Sequence, residues 1–136
     1  MTQTMTSPET TGPTTASAPA SEVGFTAVDV AAKALELCEA QPEFVYDPPD
    51  RAGNCLYVYD GQPSCLFGQA LVALGADPLA LEVRRNDSIT AIVDDFGLTT
   101  EKDYFLEKAQ VSQDTGYAWG SEYVAGHLRT FLRESA

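Results

Sequence analysis

The arrangement in this sequence closest to reaction chemistry is a thiol at the start of a helix. Gln62-Pro63-Ser64 leads into an apolar helical run at Cys65, so the sulfur is expected near first-turn amides. Their partial positive charge lowers a thiol's pKa and favours the thiolate. A nucleophile also needs a base, and His127 is the sole histidine. Cys65 and His127 are therefore the catalytic candidates for a small thiol-dependent enzyme or redox protein. Two facts oppose this. An acidic surround raises a thiol's pKa, and cysteine opening a buried helix is a frequent packing choice. Burial is the plainer reading for Cys65, and also for a lone histidine on a largely apolar helix edge.

No metal or cofactor is expected. A zinc site needs three or four ligands at workable spacing, and Cys55, Cys65 and His127 do not supply it. Asp47, Asp50 and Asn54 share a loop, but their spacing is not that of a calcium-binding EF-hand, and Pro48-Pro49 stiffens it. Phosphate loops, dinucleotide fingerprints and Gly-x-Ser-x-Gly elbows are not found. Three cysteines (Cys38, Cys55, Cys65), an odd number without a secretion signal, point to reduced thiols rather than a disulfide framework. Cys55 and Cys65 flank a turn and can approach one another, but sequence alone does not place their Cα atoms within bridging range.

Charge narrows the partners. Formal net charge is −12, of which Glu9 and Glu22 contribute two, leaving −10 on residues 23–136. Such a field repels phosphate backbones, so no direct nucleic-acid binding is expected. An acidic nucleic-acid mimic is physically allowed. No apolar run approaches the ~18 residues of a membrane span.

Residues 1–22 are mostly Thr, Ser, Pro and Ala, with no Leu, Ile, Lys, Arg or aromatic residue. They cannot bury enough apolar surface to offset ordering entropy and are expected to form a disordered tail. All thirteen aromatic residues fall in 23–136, expected to be one compact domain.

The elements that must position the candidates follow from capping and periodicity. Thr26 and Asp29 have capping-box spacing, and Val28, Ala32 and Leu35 recur at helical intervals as far as Gln41, before Pro42. Val30, Ala34, Leu37 and Cys38 broaden the stripe, with Cys38 expected as a small buried hydrophobe. Phe44-Val45-Tyr46 and Cys55 to Tyr59 are β-prone runs, expected to pair as two short strands, with Asp60-Gly61 closing the second. Leu66, Phe67, Ala70, Leu71 and Leu74 make a central helix stopped by Gly75. Asp77-Pro78 starts a short segment, and Ser88 caps a helix running to Phe96 and Gly97. Thr99 or Thr100 opens another that ends near Asp114, and Gly116 stops it. A last helix is expected from about Tyr117 to Arg133, with Trp119, Tyr123 and His127 on one edge. The fold class is α+β: a predominantly helical domain of about five helices with one short two-stranded hairpin.

Two blocks carry a family likeness. Gln62-Pro63-Ser64-Cys65-Leu66-Phe67-Gly68-Gln69-Ala70-Leu71 is one; Ala109-Gln110-Val111-Ser112-Gln113-Asp114-Thr115-Gly116, followed by Trp119-Gly120, is the other. Over roughly residues 50 to 125 the chain resembles small uncharacterised accessory proteins of actinobacterial phages. The resemblance implies a phage-encoded protein acting in the cytoplasm of a bacterial host, and supplies no activity. Physically, Gln110, Gln113 and Asp114 suit helix-end capping, and Trp119 would pack beyond the turn with its indole N–H seeking one of those acceptors. The functional alternative makes Gln110, Gln113, Asp114 and Trp119 one binding face. The overall expectation is a module that binds a host protein.

Overall fold

The computed structural model describes residues 23–47, 56–84, 87–98 and 100–135. The tail 1–22, Pro48 to Asn54 of the loop weighed for calcium, Cys55, Arg85, Asn86 and Thr99 lie outside the described residues. The described chain forms six helices and a two-stranded antiparallel hairpin, a small and mostly helical α+β fold as the sequence predicts.

Helix α1 (Ala27–Ala40) opens on the capping box read from the sequence: Asp29 N–H donates to Thr26 Oγ1 (3.2 Å), and Thr26 N–H donates to Asp29 Oδ2 (3.0 Å). Its buried stripe keeps Val30, Ala34 and Cys38 of the expected one and differs in the rest. Ala27, Val30, Ala31, Ala34 and Cys38 face inward, while Val28 and Ala32 are exposed. This helix is apolar over most of its circumference, so periodicity alone does not choose the face. Packing against α2 (Leu66–Ala73) and α6 (Ala125–Glu134) chooses the alanine-rich side, where small side chains let neighbouring helices come close.

The hairpin joins β1 (Val58–Tyr59) to β2 (Gln62–Pro63), with Val58 opposite Pro63 and Tyr59 opposite Gln62. This corrects the expected strand pairing. The closure is Asp60-Gly61, whose φ values of 53° and 78° are both left-handed, as a two-residue hairpin turn requires. Phe44, Val45 and Tyr46 form no strand. Trp119 N–H donates instead to the Phe44 carbonyl (2.9 Å), and Gly120 N–H to that of Pro42 (2.8 Å).

Helix α2 (Leu66–Ala73) buries Leu66, Phe67, Gly68, Ala70 and Leu71, and packs between α1 and α5 (Tyr104–Asp114), so it is central as expected. Helix α3 (Pro78–Glu82) is capped by Asp77, whose Oδ1 accepts from Leu79 N–H (3.1 Å). Helix α4 (Ile89–Asp95) is capped by Ser88. Arg84 ties the connection together through Asp87 and Asp95.

Helices α5 and α6 start later than the sequence suggests. Thr100 Oγ1 caps only a turn at Lys102 (3.3 Å), and Asp103 precedes α5. Helix α6 (Ala125–Glu134) begins eight residues after Tyr117, and Trp119 and Tyr123 precede it in a run of turns. The cause is tertiary. The Trp119 and Gly120 amides are spent on the 42–44 segment, and Gly120 is pressed so closely on Pro42 that an added Cβ would lie 2.5 Å from the proline Cβ. The buried side chains form one hydrophobic cluster, with Trp119, Tyr57, Phe67 and Phe131 its largest fully buried members. Among the described residues, no helix is long and apolar enough to cross a membrane.

Candidate functional site

Gln110 and Gln113 lie three residues apart on α5 and share its inward face with Leu106 and Ala109. Both are buried. Each side chain reaches the start of a different helix. Gln113 Oε1 accepts from Leu66 N–H (2.7 Å), the first amide of α2, and its Nε2 donates to Asp114 Oδ1 (2.9 Å). Gln110 Oε1 accepts from Ile89 N–H (2.7 Å), the first amide of α4, and its Nε2 donates to Tyr57 Oη (2.7 Å). Tyr57 passes its own proton to the Asp87 carbonyl (2.6 Å).

The opening amides of any helix lack intrahelical acceptors. Cys65, at the N-cap of α2, makes no side-chain capping bond, so Gln113 supplies the acceptor from elsewhere in the fold. Ser88 caps α4 at Ala91, and Gln110 takes the Ile89 amide. The two glutamines are thus spent on joining α2, α4 and α5, and they present no amide to solvent. Burial also pushes the Tyr57 hydroxyl well above its ordinary pKa, so it stays a neutral donor in this network.

Asp114 is half-buried and continues the chain of hydrogen bonds from Gln113. Trp119 is fully enclosed, and its indole N–H has no hydrogen-bond partner among the described residues, contrary to the expected acceptor. The four residues weighed as one binding face therefore form no outward face. Exposed rings do occur in the two segments that meet at Trp119. Phe44 packs edge-on against the indole with ring centroids 4.6 Å apart and is 39% exposed. Tyr117 and Tyr123 stack at 4.5 Å and are 45% and 46% exposed. The backbone bonds at Trp119 and Gly120 fix the first aromatic segment to the second. Nothing in local periodicity announces these three residues, because the turns that gather them are set by contacts with Pro42 and Phe44.

Cys65 is fully buried and disulfide-bonded, so it carries no thiol proton and no thiolate; this corrects the expectation of reduced thiols throughout. Cys55, considered as a neighbour, is outside the described residues. Cys38 is a free, buried thiol on α1, pushed up to about 12 by desolvation and held neutral. His127 is half-buried on α6. Desolvation first, and Lys108 second, lower its pKa, so the imidazole is neutral at pH 7. Among the described residues no group of three His, Cys, Asp or Glu side chains is placed to hold a metal ion. A cleft of about 460 Å³ at the start of α1 is lined by residues that include Phe25, Thr26, Leu98 and Lys102 and by none of the candidates.

The disulfide makes a prediction. Reductant is expected to destabilise the wild-type chain by about 2–5 kcal/mol, and Cys65→Ser to do the same while abolishing any further response to reductant. Thermal melts of both proteins with and without reductant measure this; an unchanged midpoint in reduced wild type would show that the bond carries no stability. No protein-family model, curated protein or solved structure matches this chain.

Proposed function

We propose that this is a phage-encoded accessory protein that acts in the host bacterium by binding a host protein through the aromatic face of Phe44, Tyr117 and Tyr123. The observation that carries the reading is the three half-exposed rings themselves: Phe44 edge-on against the buried Trp119, and Tyr117 paired with Tyr123. Large, rigid aromatic side chains bury much surface at small entropic cost, and they are enriched where proteins meet. The phage and host assignment is supported by the likeness of the Ser64–Gly68 and Ala109–Gly120 blocks.

The test is retention of host proteins from lysate by wild type and by Tyr117→Ala/Tyr123→Ala. The variant is expected to hold its partner at least ~10-fold less well, since losing interface aromatic anchors costs about 1–2 kcal/mol or more. Circular dichroism should show the fold unchanged. Equal retention by a folded variant would reject the aromatic face. Recovery of DNA-binding proteins that wash off in high salt would favour the acidic-mimic alternative.

A further inference from the structure

We propose that the groove between the Asp60-Gly61 turn and α3 binds a basic, apolar segment of a partner protein, seating a lysine or arginine side chain between Asp60 and Glu82. This rests on the protein-binding reading above and names a second contact with its own chemistry.

The groove has a volume of about 380 Å³ and is lined by Leu56, Val58, Tyr59, Asp60 and Glu82. Helix α3 packs on β1 through its inner side, where Leu81 is fully buried. Its outer side carries Leu79, Glu82 and Val83 at i, i+3, i+4 spacing, which places all three on one face. Leu79 is 72% exposed and Val83 78%, more than any other large apolar side chain among the described residues. Tyr59, at the hairpin end, is exposed as well. Leu79 and Val83 therefore share a helix face with the Glu82 carboxylate, and Tyr59 lines the groove beside Asp60 and Glu82.

That pairing selects the occupant. The stem of a lysine or arginine is apolar and its head is cationic, so it can lie over Tyr59 and reach both acids. Arg84, the one cation just after α3 among the described residues, is bound to Asp87 and Asp95 and is not the counter-ion for Asp60 or Glu82. The chain's own residues 1–22 contain no Lys or Arg, and a second copy would bring a net charge of −12. A basic segment of a different protein meets both requirements.

A short fluorescent peptide alternating leucine and lysine is the probe, with leucine–glutamate and glycine–lysine peptides as counterparts, all read by anisotropy on the full-length chain. Wild type is expected to bind the leucine–lysine peptide at least ~10-fold more tightly than either counterpart. Asp60→Asn/Glu82→Gln and, separately, Leu79→Ser/Val83→Ser should each weaken it about tenfold; asparagine suits the left-handed backbone at position 60. Glu36→Gln/Glu134→Gln removes the same charge from exposed sites elsewhere and should leave affinity unchanged.

Equal weakening by that control would reduce the binding to general charge attraction and overturn the groove. So would equal binding of all three peptides, or a dimer of wild type that Leu79→Ser/Val83→Ser converts to monomer. The two readings fail separately. Loss of the groove leaves the Tyr117/Tyr123 dependence of host-protein retention standing. A folded Tyr117→Ala/Tyr123→Ala chain that keeps both partner and peptide overturns only the aromatic face.

Discussion

Gly68→Ala is expected to destabilise the protein by about 3 kcal/mol or more, lowering the melting temperature by more than ~10 °C or preventing folding. In a helix interior, alanine is normally the better residue by about 1 kcal/mol. Here the sign reverses. A Cβ on Gly68 would overlap the Tyr57 carbonyl, with the carbonyl carbon 2.5 Å away and the Tyr57 Cα 2.7 Å. These are backbone atoms, and they cannot turn aside as a side chain can. The Tyr57 carbonyl also accepts from Ser64 N–H (2.9 Å), and the Tyr57 ring ends in the Gln110 network. Any shift that admits the methyl group must therefore disturb the hairpin, the start of α2 and the contact with α5 together. Gly126→Ala is the control. Its Cβ meets only the Glu122 side chain at 3.1 Å, and its melting temperature should stay within about 3 °C of wild type. If Gly68→Ala melted with wild type, the close approach of α2 to Tyr57 would be wrong.

The second large effect belongs to the buried glutamines. Methionine is close to glutamine in length and shape, so Gln113→Met removes hydrogen bonds while keeping most of the packing. It leaves the Leu66 amide buried without its acceptor and removes the donor that Asp114 receives, at an expected cost of about 2–3 kcal/mol. Gln110→Met should cost a similar amount through Ile89 and Tyr57. Amide hydrogen exchange separates the two. Protection should fall first at Leu66 in one variant and at Ile89 in the other, because each glutamine caps a different helix. A Gln113→Met chain as stable as wild type, with Leu66 still protected, would remove the capping role and reopen the residue as a surface contact.

The sequence by itself determined what local chemistry can determine. Thr26 and Asp29 are three residues apart, so their reciprocal bonds follow from one turn of helix; Asp77 and Ser88 start their helices by the same short-range logic. Gly75, Gly97 and Gly116 adopt positive φ near the helix ends expected of them. The apolar character of Leu66 to Leu74, broken by Gln69 alone, was enough to make α2 central. A mostly helical α+β class, with a hairpin, was legible from these signals.

Only the tertiary structure decided the remainder, because it depends on partners distant in sequence. Gln113 meets Leu66 across 47 residues, and Gln110 meets Ile89 across 21; spacing within α5 could show a paired polar face but not which amides it would satisfy. The hairpin moved to residues 58–63 because Asp60-Gly61 closes locally, while the amides of Trp119 and Gly120 claimed the Phe44 and Pro42 carbonyls. The same two bonds delayed α6 and gathered Phe44, Tyr117 and Tyr123 on the surface. Cys65 shows the limit most plainly. Its place at the start of α2 was readable from local signals, but burial and a disulfide, which set its chemistry, depend on what the fold packs around it.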